Sequence, residues 1–221
     1  MDVLKKGFLF SWKHAALLLL VLYAALFPFY KYILDVDAVG YITVARHYAA
    51  GDWHNAVNGY WSPLNSWLLA PFIKMGLNDV RCFKIANLFF GFGVLYQTER
   101  LFRYFAFTPK IKTGILFTVA LMMVYYASIQ IAADMLFVWI FLMYVNVVLK
   151  GDLDTSIRTN MQAGLIAAIA FFAKTYGGVF FMIHFSFLHL AWYPFFNKKG
   201  WHIKQWLAGL IAFLPLVLVW I

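Results

Sequence analysis

DVDAVGYITVARHYAAGDWHNAVNGYWSPL, Asp35 to Leu64, is the longest polar interruption in an otherwise apolar sequence. Two acids open it, Asp35 and Asp37, and a third, Asp52, sits in a Gly-Asp-Trp turn. Pro63 stands near its end. A connection between two membrane helices needs only a few residues. About thirty polar and aromatic residues held between apolar runs therefore point to a structured surface segment. Tyr41, Ala45 and Tyr48 recur at i, i+4 and i+7, so 37–50 reads as a short helix lying in the membrane interface. Gly51-Asp-Trp-His-Asn ends that helix. Trp53, Tyr60, Trp61 and Trp67 are ring types suited to the headgroup level.

The chain on either side of this stretch sets the fold class. Of 221 residues, 64% are hydrophobic, 21% aromatic and only 12% charged, against roughly 25% charged in a soluble domain. Apolar runs of about 17 or more residues recur, the length a membrane helix requires. The expectation is an all-α polytopic membrane protein. The net charge of +9 would suggest nucleic acid in a soluble protein. Here the basic residues cluster between apolar runs, which makes them topology signals and contacts to membrane lipids, with no nucleic acid partner. The single cysteine, Cys82, excludes an internal disulfide and a cysteine metal cluster.

Charge sets the expected topology. Residues 1–14 are basic and read as a cytoplasmic N-terminus, and 15–34 as the first membrane helix. No small-x-small cleavage site follows it, so it reads as an uncleaved anchor. Residues 35–79 form the outer loop with its interfacial helices. Within it, 63–76 is apolar but short and holds Pro71. If it crossed the membrane, Arg100, Arg103, Lys110 and Lys112 would lie outside; if it stays in the interface, the next crossing, 80–103, brings them to the cytoplasmic side. The second arrangement is the one expected. The remaining 80–221 continues with helices at 113–131, 134–149, 160–174, 178–195 and 206–221. Residues 160–195 cannot be one crossing, because about 54 Å of helix exceeds a hydrocarbon core of roughly 30 Å. Gly177-Gly178 is the expected break. The last run stops at Ile221 after about 16 residues, short of the roughly 20 that span. That reads as the N-terminal part of a longer protein, or as a natural truncation.

This topology was set by lysines and arginines, yet it also places Asp37, Asp52, Asp134 and Lys174 at or just below the outer side. Asp134, in IAADMLF, is a carboxylate at the mouth of an apolar helix, costly unless it faces a cavity or a partner; it also suits a helix cap. Lys174, in AIAFFAKTYGG, suits either snorkelling or a cation for a phosphate. Asp37, with Asp35 nearby, suits a cap, a general base or a metal ligand. His47 and His54 do not stand at metal-ligand spacings. His184 and His189 suit packing or hydrogen bonding on an apolar helix. No nucleophile-histidine-acid order, phosphate loop or dinucleotide fingerprint occurs.

The sequence Asp37-Ala-Val-Gly-Tyr41, with Ala45, Gly51-Asp52-Trp53 and Gly59-Tyr-Trp-Ser-Pro63-Leu64, resembles the first outer loop of the C-type, membrane-embedded glycosyltransferases. The groups it is most similar to are the protein O-mannosyltransferase-like family and the aminoarabinose transferases of lipid A. Ala133-Asp134 resembles the acid that opens a later helix in that family, and Ala173-Lys174 its Thr-Lys step. The resemblance covers 15–180. It implies inverting transfer of a sugar from a polyprenyl-phosphate donor to an acceptor on the outer face, in the bacterial inner membrane. It implies Asp37 and Asp134 as catalytic residues and Asp35, Asp52, Tyr41 and Lys174 as substrate-binding residues. The loop departs from the family at Ala38, where a second acid is usual, and at Ser62, where a basic residue or proline is usual. These departures bear on metal binding and on one phosphate contact, and the cofactor stays open. The rival expectation is a non-enzymatic multipass protein, a transporter or lipid-binding subunit. A transporter calls for broken helices and polar groups at the bilayer midplane, whereas the polar residues here sit at outer helix ends.

Overall fold

A computed structural model describes residues 10–57, 59–128, 134–196 and 202–220. Every regular element among them is helical: α1 Trp12–Tyr30, α2 Val36–Ala50, α3 Trp53–Ala56, α4 Leu64–Lys74, α5 Asp79–Leu101, α6 Pro109–Ser128, α7 Asp134–Leu149, α8 Ile157–Ala173, α9 Thr175–Phe187 and α10 Ile203–Leu218. α9 continues without interruption as a π-helical segment, Leu188–Phe196. Lys5 and Lys6 of the expected N-terminal segment, Ala133, and Lys198 and Lys199 of the NKKGWHIK loop lie outside the described residues.

Three helices are long and apolar enough to cross a membrane: Trp12–Tyr30, Pro109–Ser128 and Thr175–Phe196. This is the build of an all-α membrane protein. Leu17 and Val21 of α1, Leu121 and Met122 of α6 and Ile183 of α9 are all exposed, an apolar surface that water would penalise and lipid would not. The other expected crossings differ. α7, α8 and α10 are apolar but have 16, 17 and 16 residues. α5 has 23 residues but carries five charged side chains, Lys84 in its body and the others in its end turns.

The helices pack as two bundles sharing a seam. α1, α5, α6 and α7 enclose Leu19, Leu95, Leu116, Ala120 and Ala127. α8, α9 and α10 enclose Ala167, Phe181, Phe185 and Phe213. The closest approach is between α8 and α10, where a Cβ added at Gly164 would lie 2.1 Å from the carbonyl oxygen of Gly209. Backbone touches backbone there, the small-residue contact that membrane helices favour.

The polar stretch folds over one end of the bundles. α2 packs on α4 and α5 around Tyr41, Ile42, Leu69 and Phe83. Gly51, at φ 77°, ends α2 in the left-handed region, as the Gly-Asp-Trp turn foretold. α4 has 11 residues, about 16 Å of helix, too short to cross. Its Leu69 is buried with Tyr41 and Phe83 in one cluster.

Three expectations need correction. The first helix begins at Trp12, not 15, and ends at Tyr30, not 34. Its start is fixed by Glu99, whose Oε1 accepts the Trp12 N–H at 3.0 Å. Asp35, not Asp37, caps α2: its Oδ1 accepts the Asp37 N–H at 3.0 Å, which places Asp37 in the first helical turn. The break between α8 and α9 falls at Lys174, extended at φ −155° and ψ 126°, not at Gly177-Gly178. Those glycines lie in the first turns of α9, where a Cβ would come within 2.8 Å of Phe137 and 2.9 Å of Phe171; they permit packing rather than bending. A second lysine, Lys84, is fully buried, and its ammonium donates to the Ser128 carbonyl at the end of α6 at 2.6 Å.

Gly164→Ala is expected to force α8 and α10 apart. The clash is with backbone, so a loss of about 1–3 kcal/mol is the expected outcome, measured by thermal unfolding in detergent. Gly114→Ala, within α6 at a position open to space, serves as the control and is expected to hold or raise the transition, since alanine favours helix over glycine.

Candidate functional site

Lys174 is the residue around which one end of the structure closes. Its extended backbone lies between two helices, so its side chain leaves the α8–α9 pair at their shared end rather than along a helix face. The ammonium reaches Asp134 Oδ1, in the first turn of α7, at 3.2 Å. It also lies 5.7 Å from the centre of the Tyr41 ring on α2. Three segments remote in sequence thus meet on one cation. The Lys174 side chain is 17% exposed and that of Asp134 48%, so the carboxylate lies on the solvent side of the pair. Burial alone lowers the Lys174 pKa, but the Tyr41 hydroxyl and the Asp134 carboxylate outweigh it and hold the value above the ordinary lysine range. Lys174 is therefore a fixed positive charge at neutral pH.

Lys174 lines a cavity of about 260 Å³ together with Asp37, Tyr41, Trp61, Thr175 and Tyr176. Asp37 is exposed at its mouth. Tyr41 is nearly buried, and its hydroxyl pKa is raised, first by burial and then by Asp134 and Asp37, against an opposing effect from Lys174. The Tyr176 hydroxyl lies 3.5 Å from Asp134 Oδ1. The loop is tied to this site by Ser62, whose Oγ accepts the Thr175 N–H at 3.1 Å and lies 3.2 Å from its hydroxyl. Trp61 stacks edge-on to Tyr41, with centroids 4.9 Å apart. It fits there because residue 40 is glycine: a Cβ at Gly40 would come within 2.4 Å of the Trp61 ring.

The six expected site residues separate into two sets. Asp37, Tyr41 and Lys174 share the cavity, and Asp134 joins them through Lys174. Asp35 caps α2 and does not line the cavity. Asp52 caps α3 and contacts His47 Nδ1 at 2.9 Å and Asn55 Nδ2 at 2.8 Å. Its carboxyl is held below the usual range, first by the Asn55 side chain and also by His47. Asp52 thus braces the turn and does not line the cavity. Trp61 was read only as an interface ring, Ser62 only as a departure from the family's loop, and Thr175 and Tyr176 were not singled out. The available signal for the last two was adjacency to Lys174 at a helix break. Among the described residues no group of three or more His, Cys, Asp or Glu converges as a metal site would require. In comparisons with known proteins, no family model, curated sequence or solved structure matches the chain.

The Lys174–Asp134 contact is testable without any substrate. Lys174→Met and Asp134→Asn are each expected to cost about 1–2 kcal/mol. The double variant is expected to lose less than the sum, because each single change already removes the pair. Thermal unfolding of the four proteins in detergent measures the coupling.

Proposed function

We propose that this cavity transfers a sugar, with inversion, from a polyprenyl-phosphate donor to an acceptor hydroxyl at the outer face of the membrane. One observation carries the reading: an exposed carboxylate, Asp37, and a mostly enclosed ammonium, Lys174, line the same small cavity at the end of an apolar helical bundle. A lipid-linked donor and a polar acceptor can meet only at such a boundary. The residues that carry the resemblance to C-type glycosyltransferases include both. The assignment of a multipass protein of the bacterial inner membrane, N-terminus inside, belongs to this same reading.

The chemistry requires two opposite tasks. An acceptor oxygen attacks the anomeric carbon while its proton passes to the Asp37 carboxylate. The bond from that carbon to the phosphate oxygen breaks on the opposite face, and its electron pair leaves with the lipid phosphate. Negative charge then grows where Lys174 can neutralise it, in a setting of reduced water where a fixed cation is most effective. Asp134 acts as a positioning residue, holding Lys174 through the 3.2 Å contact. Tyr41 supplies a buried ring face beneath the ammonium. Trp61 and Tyr60, also at the cavity, offer ring faces on which a sugar can stack.

Membranes containing the protein are incubated with polyprenyl phosphate bearing a radiolabelled hexose, and label released from the lipid is counted. Asp37→Asn and Lys174→Ala are each expected to lower release by about 100-fold or more, with both variants eluting as the parent does on size exclusion. Full activity in both would overturn the assignment.

A further inference from the structure

The opposite end of the first bundle holds a second, larger cavity, about 670 Å³ in volume. It opens where α1 and α6 begin and α5 ends, and its walls include Arg100, Arg103 and Lys112. None of these three cations makes an ion pair among the described residues. Two are instead held over rings at the cavity: Arg100 lies 5.8 Å from the Tyr96 ring centre and Lys112 5.9 Å from that of Phe102. The one acid in the wall, Glu99, has an oxygen committed to the Trp12 N–H. Among the described residues the cavity therefore sets three cations against one carboxylate, a surplus of positive charge.

Basic residues that serve only to orient helices need not converge, and they need no cavity. These three converge on a concave site of the size that takes a ligand. Two of the helices that start at its rim, α1 and α6, are among those long and apolar enough to cross a membrane. The rim thus stands at a membrane surface whichever way the protein faces. Phe10, Phe102 and Leu116 complete the wall, an apolar lining beside the charges. A phosphate at the arginines with hydrocarbon against the rings and Leu116 satisfies both halves.

We propose that this cavity binds the phosphate headgroup of an anionic phospholipid. Arg100 and Arg103 offer planar forks suited to phosphate oxygens, and Lys112 offers a point charge. Basic pockets between membrane helices recognise lipid headgroups in this way. The site is separate from the Asp37–Lys174 cavity and does not depend on the transfer reaction.

The purified full chain in detergent is titrated with phosphatidylglycerol or phosphatidylcholine of matched acyl chains, and bound lipid is counted by native mass spectrometry. Phosphatidylglycerol is expected to be retained on the order of tenfold more tightly. The Arg100→Gln/Arg103→Gln variant is expected to reduce it to the phosphatidylcholine level, while Lys150→Gln, outside the cavity, leaves it unchanged. Should the double variant aggregate, Lys112→Gln is read in its place and is expected to weaken retention severalfold. Equal retention of the two lipids, or undiminished phosphatidylglycerol binding in the folded variant, would overturn the proposal. Displacement of the lipid by millimolar inorganic phosphate or glycerol phosphate would overturn the lipid assignment and leave a site for a soluble anion.

Discussion

An ammonium at the end of an apolar bundle must have a partner, and the contact between Lys174 and Asp134 supplies it. The cost of standing alone falls mainly on Lys174, which is mostly removed from water, whereas Asp134 is about half exposed. Satisfying that need fixes geometry well beyond the pair. It ties the start of α7 to the break between α8 and α9, and so joins the two bundles at one end. The Tyr41 ring beneath the ammonium brings α2 to the same place. The polar stretch is then anchored a second time by Ser62 on Thr175.

The polarity of the molecule follows a simple division. Helix bodies expose apolar side chains, and charge gathers at helix ends. At one end Lys174 pairs with Asp134, Arg46 of α2 with Asp79 of α5, and Lys84 donates to the Ser128 carbonyl. At the other, Lys150 pairs with Asp152, while Arg100, Arg103 and Lys112 surround a cavity with no ion pair among the described residues. The first end has an acid and a cation facing one small space, which suits chemistry that moves a proton and stabilises a leaving anion. The cavity at the second end suits holding an anion. The two ends thus call for different ligands, which is why the transferase reading and the lipid reading stand independently.

Much of the fold was legible because it follows from composition and length. An apolar chain with charge at run boundaries can only be a helical bundle of this kind, and 160–195 had to break somewhere. The position of the break was not legible from residue type. Two adjacent glycines looked like the weak point, but they are needed where α9 packs on Phe137 and Phe171, and the chain turns at Lys174 instead. Asp35 and Asp37 could not be ranked as caps from spacing alone; the extended backbone at Asp35 and its bond from the Asp37 N–H decide in favour of Asp35. Lys84 was overlooked because nothing local marks a lysine whose partner is a carbonyl 44 residues away. The candidate site itself was half legible. Asp37, Tyr41, Asp134 and Lys174 were visible as charges and rings at helix ends, whereas the contributions of Trp61 and Thr175 depend on how the loop lies across the bundle.

Labelling of introduced cysteines measures directly whether the two ends face opposite sides of a membrane. With Cys82→Ala removing the native thiol, Asp134→Cys and Arg103→Cys are each expressed in intact cells and treated with a membrane-impermeant maleimide. Asp134→Cys is expected to label in intact cells, and Arg103→Cys only after the membrane is permeabilised. Labelling of both from the same side, or of Arg103→Cys alone in intact cells, would contradict that arrangement.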